Sequence, residues 1–203
     1  MREVVLFTED SGHEVFVRAL VNRMAQEYNV HAVLHPRSVR GGYGKVTTEL
    51  KQYLRDLKNG REQTPDLLVV ATDANCKGYL KRRQEVDKVV IAFGDIVPLD
   101  HVAHAIPDPH VERWPLLDSA AFKAVLGRGC EAPGYKCERN RYKQLLAEAV
   151  RNAGVAPILG GIEHMEDIVN AMDLQHAQTA DDSLGKLLGE LHPVFRSWAS
   201  SST

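Results

Sequence analysis

Two stretches decide the fold: Val4-Val5-Leu6-Phe7-Thr8-Glu9-Asp10-Ser11-Gly12 and Asp66-Leu67-Leu68-Val69-Val70-Ala71-Thr72-Asp73-Ala74-Asn75. Each holds an unbroken apolar run that ends in acidic residues. A run without polar alternation marks a strand buried on both faces, as in a parallel sheet. In an open α/β sheet, ligands and metals bind at the carboxyl ends of the strands. Two strands that both deliver carboxylates to that edge suggest a divalent-cation site.

Working outward, the first half of the chain alternates. Residues 3–8 read as a strand and 13–28 as a helix whose stripe is Val15, Phe16, Ala19, Leu20 and Met24. A short strand follows at 30–34, then Gly41, Gly42 and Gly44 lead into a helix over 45–58 with Val46, Leu50, Tyr53, Leu54 and Leu57 on one face. The strand at 66–72 precedes a basic helix at about 77–86, and Lys88–Phe93 reads as a fourth strand. This β-α-β-α-β-α-β order predicts an α/β fold: an open, mainly parallel four-stranded sheet with helices on both faces, over residues 1–97. Beyond it, Pro107-Asp108-Pro109 forces a bend, and 110–125 reads as a helix interrupted at Pro115. A loop at 127–137, a charged helix at 138–153 and helical segments over 155–199 complete a mostly helical extension, 98–203, packing on or beside the sheet. The Ser-rich residues 199–203 read as a frayed end.

The chain has 203 residues, 44% apolar and 26% charged, a soluble globular composition. No run approaches the roughly 18 apolar residues of a membrane span. A strand at the very start leaves no room for a signal peptide, so a cytoplasmic location is expected. A formal net charge of −2 gives no general attraction to nucleic acid, so phosphate contacts must come from local patches. Three cysteines, an odd number, suggest a reducing compartment rather than a disulfide framework. Cys130 and Cys137 are spaced too widely for a usual zinc pair, and no second pair accompanies them.

A glutamate closing the first strand before a glycine and a helix, with an Asp-x-Asp-like motif closing the third, resembles the Toprim domain. Topoisomerases, primases, recombination mediators and overcoming-lysogenization-type nucleases share that domain. Asp73-Ala74-Asn75-Cys76-Lys77-Gly78, with Arg82 and Arg83 behind it, resembles small standalone Toprim-like proteins of bacterial defence neighbourhoods. Pro109-His110-Val111-Glu112-Arg113-Trp114-Pro115-Leu116-Leu117 is similar to the proline–acid–x–tryptophan–leucine element that follows the sheet in that group. The resemblance implies a Toprim-like fold and Mg²⁺- or Mn²⁺-dependent phosphodiester hydrolysis of DNA or RNA. Glu9 would be a metal ligand or general acid/base, Asp73 the main ligand and Asn75 a weaker one. It also implies a role in antiviral defence and an ATPase partner. The same resemblance admits an inactive Toprim-like subunit serving as an interaction module of an ATPase complex, and Asn75 in place of aspartate favours that alternative. A flavodoxin- or receiver-like binding domain is a third reading of the acidic edge.

The residue chemistry stands beside this. Magnesium is commonly held by one or two carboxylates with waters and substrate phosphate oxygens. Asp10, Asp95 and Glu112 are available as additional acids, although Asp10 before Ser11-Gly12 suits a helix cap and Glu112 suits a helix N-terminus. Lys77, Lys81, Arg82 and Arg83 form a basic cluster just past the candidate ligands, suited to phosphate or to a solvated face. Arg40-Gly41-Gly42-Tyr43-Gly44-Lys45-Val46-Thr47 is not a Walker A loop, because Val46 replaces the magnesium-binding hydroxyl; Lys45 and the glycine backbone suit an anion. Trp114 reads as core. His101 and His104 lack an H-E-x-x-H pattern, and no G-x-S-x-G elbow supports a serine hydrolase. A homo-oligomer is compatible with all of these readings.

Overall fold

Side chains alternate along a strand, so the apolar runs divide between two faces. Val4 and Leu6 of β1 (Arg2–Thr8) and Leu67, Val69 and Ala71 of β3 (Leu67–Ala71) bury into one core, while Val5, Phe7, Leu68 and Val70 bury into another. In the computed structural model, which describes residues 1–94 and 96–201, β1 and β3 join β2 (Ala32–Ser38) and β4 (Val102–Ala105) in one all-parallel sheet of order β2-β1-β3-β4. The register sets Thr8 opposite Ala71, so the two acid-bearing strand ends lie side by side. This is the open α/β architecture expected from the alternation, and it is consistent with a Toprim-like sheet.

Helices cover both faces. On one lie α2 (Tyr43–Lys58) and α3 (Tyr79–Ile91), through Leu50, Leu54, Val86 and Val90. The other carries α1 (Ser11–Glu27), α4 (Ser119–Leu126), α5 (Arg141–Asn152), α6 (Met165–Ala171), α7 (Leu174–Ala180) and α8 (Asp182–Ser200). Phe16, Trp114, Phe122, Leu187 and Phe195 fill that second core.

The fourth strand is a correction. Lys88–Phe93 is not a strand; α3 runs through Ile91. Val86, Val89 and Val90 fall at three- and four-residue spacing, so a β-branched run that reads locally as strand is the buried stripe of a helix. The true β4 is four residues long and includes a histidine, too little apolar sequence to announce itself. It lies beyond residue 97, and the C-terminal helices share the core of α1, so sheet and extension form one body rather than two units divided there. The segment 110–125 is a 3-10 turn, Val111–Leu116, followed by α4, with Pro115 inside the turn. Helix α8 continues to Ser200, further than the frayed tail expected from 199 onward. Asp95, one of the additional acids, and residues 202–203 lie outside the described residues.

The cysteine expectation is also corrected. Cys76 and Cys137 form a disulfide across 61 residues, with Cα atoms 5.6 Å apart, which removes Cys137 from any zinc pair. Cys130 is free, and burial pushes its thiol up to about 11. Both sheet edges are blunted. Pro36 sits mid-strand in β2 opposite Leu6, and on β4 the His104 N–H donates to Glu190 Oε2 of α8 at 2.7 Å. Among the described residues no helix is long and apolar enough to cross a membrane.

Candidate functional site

The end of β1 turns directly into α1. Asp10 is its N-cap, accepting from the His13 N–H at 3.1 Å, as the cap reading expected. That geometry brings His13 one turn into the helix and points its ring back at the strand ends. His13 is fully buried; Nδ1 lies 2.8 Å from Asp10 Oδ1 and Nε2 lies 3.1 Å from Asp73 Oδ1.

Asp73 at the end of β3 is the hub. Its Oδ1 also accepts the Val111 N–H at 3.0 Å, and Oδ2 lies 2.8 Å from His110 Nδ1. The segment 109–117, with its 3-10 turn, is thereby docked on the carboxyl edge, and Asn75 donates to the Asp73 carbonyl at 3.4 Å. Glu9 faces the same edge. Its Oε2 accepts from Thr72 Oγ1 at 2.5 Å and the Asp73 N–H at 3.1 Å. Oε1 lies against Gly42, whose φ of +79° lets α2 begin beside it; a Cβ there would sit 3.7 Å from that oxygen.

Glu112 completes the cluster. It is 1% exposed, and neither carboxylate oxygen has a hydrogen-bond partner. The nearest cation is Lys143 of α5, whose Nζ stands 3.5 Å from Glu112 Oε1 and 3.6 Å from Asp10 Oδ2. A buried carboxylate met by a single ammonium at this distance is under-satisfied, which costs free energy.

The electrostatics follow from these contacts. Burial would depress His13, but the carboxylates of Asp73 and Asp10 hold it well above the usual imidazole value of 6.5. Burial likewise opposes ionisation of Asp73, yet His13 and His110 hold it below the usual range. Asp10 is held well below that range by His13 and Lys143 against its own burial. His110 is raised, first by its hydrogen bond to Asp73. Glu112 moves the other way: burial, then Asp73, push it up despite Lys143. Lys143 is raised because Glu112, Asp10 and Asp73 outweigh its partial burial.

The sequence-predicted residues therefore separate into two groups. Asp10, Asp73 and Glu112 gather around His13 and Lys143, while Glu9 is tied to the Asp73 backbone at the neighbouring strand end. The basic cluster does not gather as a phosphate cradle. Arg82 is buried, donating to the Asp73 carbonyl at 3.0 Å and to Glu85 at 2.7 Å, with its guanidinium 3.8 Å from the centre of the Tyr43 ring. This corrects its reading as a phosphate ligand: it fastens α2 and α3 behind the strand end. Arg83 pairs with Glu190 at 3.0 Å, and Lys77 with Glu85 at 2.9 Å. Lys81 and Lys45 are exposed. His13, His110 and Lys143 carry the site's positive charge and escaped the sequence reading. The available signals were the Asp10/His13 spacing at a helix start and the histidine next to Glu112's element.

A divalent cation of the kind the resemblance implies was tested against these donors. Both oxygens of Asp73 are engaged, Asn75 is turned to backbone, and among the described residues no three His, Cys, Asp or Glu side chains converge as a ready ligand set. The two oxygens of Glu112, with Asp10 Oδ2 facing the same Lys143 ammonium, suit a cation, and magnesium needs only one or two carboxylates beside water and phosphate. Trp114, by contrast, is pure core, its indole N–H turned to Asp181 and Ser183. Comparison of the chain with protein-family models, curated proteins and solved structures returned no match in any of the three.

Proposed function

We propose that this edge hydrolyses phosphodiesters in nucleic acid, in the manner of a Toprim-type nuclease, with Mg²⁺ or Mn²⁺ as cofactor. The observation that carries the reading is Glu112, a buried carboxylate without hydrogen-bond donors on the edge where Glu9, Asp10 and Asp73 end their strands. Glu112 and Asp10, the two carboxylates that face Lys143 Nζ, would hold the cation, with Glu9 on the same strand edge. When bound, it supplies Lewis-acid polarisation of a phosphate oxygen. Asp73 acts as the anchor that orients His110. His110 Nδ1 is committed to Asp73, while its Nε2 has no bond among the described residues, so it is the group to donate a proton to the leaving oxygen. The N-terminus of α2, opened by Gly42, offers backbone N–H groups to a nucleic-acid phosphate next to Glu9.

The test is cleavage of supercoiled DNA, linear DNA and RNA with Mg²⁺ or Mn²⁺ by the wild type and by Glu9→Ala, Glu112→Gln, Asp73→Ala and His110→Gln. Cleavage abolished by Glu9→Ala and Glu112→Gln, and lowered roughly 10²- to 10⁴-fold by His110→Gln, is the expected pattern. A folded wild type that cleaves none of the substrates overturns it.

A second reading is favoured by one observation, the engagement of both Asp73 oxygens by His13, His110 and the Val111 N–H. On that reading the chain is a silent Toprim-like subunit of a defence ATPase complex, and the acid–imidazole network is architecture. A stable complex with an ATPase, formed equally well by Glu112→Gln, distinguishes it.

A further inference from the structure

Glu112 is nearly sealed from solvent and both its oxygens lack hydrogen-bond donors, yet it is not far from positive charge. Lys143 Nζ reaches in from α5 to within 3.5 Å of Glu112 and 3.6 Å of Asp10, too long for strong hydrogen bonds to either. Its side chain keeps 53% of its exposure, so the ammonium has an open path to water. An ammonium poised between two carboxylates at more than hydrogen-bond length is a loosely held counter-ion. A divalent cation offered the same carboxylates would bring twice the charge to the same place, and both cannot occupy it.

We propose that Lys143 is a built-in placeholder for the divalent cation: its ammonium neutralises Glu112 and Asp10 in the empty protein, and the metal binds by displacing it into solvent. The inference rests on the cation reading above and deepens it. Lys143 lies on the exposed side of α5, whereas its neighbours Tyr142 and Leu146 are buried. A lysine kept only for helix stability would not need to face two acids from another part of the chain. The arrangement also makes metal affinity a difference between two cations on one site, so removing the resident must strengthen the visitor.

The experiment titrates Mg²⁺ by calorimetry into wild type, Lys143→Met, Lys143→Arg and the double variant Lys143→Met/Glu112→Gln, with near-UV circular dichroism confirming the fold of each. Lys143→Met should bind Mg²⁺ up to about fivefold more tightly than wild type, as loss of one partly exposed ion pair allows. Lys143→Arg, which keeps the charge, should stay near wild type, and the double variant should lose the gain. Mg²⁺ binding to folded Lys143→Met that is no tighter than wild type, weaker, or absent overturns the proposal. Failure here is separable from failure of the nuclease reading. A wild type that cleaves, with no gain in Lys143→Met, sinks only the placeholder. A gain that depends on Glu112 in a protein that cleaves nothing sinks only hydrolysis.

Discussion

At the scale of single residues, Asp73 and Glu112 are opposite cases of a buried acid. Asp73 is matched by two imidazoles and a backbone donor, so Asp73→Asn leaves His13 buried without its main counter-charge. A loss of about 3–5 kcal/mol is expected, measured by denaturant unfolding. The pH dependence has a definite sign. The stabilisation from the raised His13 is complete below 6.5 and fades as pH rises through its elevated value; that from the lowered Asp73 is complete above 3.8 and fades as pH falls through its depressed value. The stability gap between wild type and Asp73→Asn should therefore be widest between those two values. Burial and the Asp73 charge outweigh the one ammonium, Lys143, that faces Glu112 and raise its pKa, so the folded state resists its ionisation. Stability lost to it grows as pH climbs past 4.5. Glu112→Gln should thus be more stable than wild type at neutral pH, by roughly 1–3 kcal/mol, while losing cleavage. The melting temperatures of the two proteins at pH 4 and pH 8 check this. These acids were legible because the strand ends are local patterns. Their partners were not: His110 and Lys143 stand 37 and 70 residues from Asp73, and no periodicity announces a contact of that span.

Elements show the same division between local and distant causes. β1, β3, α1 and α2 were readable because each carries its own burial pattern over several turns or strand residues. α3 and β4 were not, because the apolar content of α3 mimics a strand and β4 is held by its neighbours more than by its composition. His104 illustrates this: it is 1% exposed in β4, with Nε2 2.8 Å from Asp87 of α3 and Nδ1 3.2 Å from Glu190 of α8. Burial lowers the ring, but Asp87 and Glu190 outweigh it and hold the imidazole above its ordinary value, so this clamp weakens as pH rises through that raised value. The disulfide is the other tie between elements. It joins the turn just after Asp73 to the loop ahead of α5, closing 61 residues. Reducing it, or making Cys137→Ser, should cost up to about 4 kcal/mol on the chain-entropy account. Thermal melts with and without dithiothreitol measure this, and Cys137→Ser should be insensitive to the reductant.

For the molecule as a whole, the shared core argues that no fragment ending near residue 97 can fold. Such a fragment lacks β4, and Leu6, Leu20 and Val69 would face water where Trp114, Leu187 and Phe195 now cover them. Residues 1–97 expressed alone should show no cooperative melt and no dispersed amide spectrum, whereas the full chain should show both. The edges carry a different consequence. A parallel sheet ends where a further strand could still add, and exposed edges invite a second copy of the same chain. Here Pro36 gives an incoming strand no N–H on β2, and Glu190 already occupies a donor of β4. Strand addition at either edge of the sheet is thereby disfavoured in the native molecule.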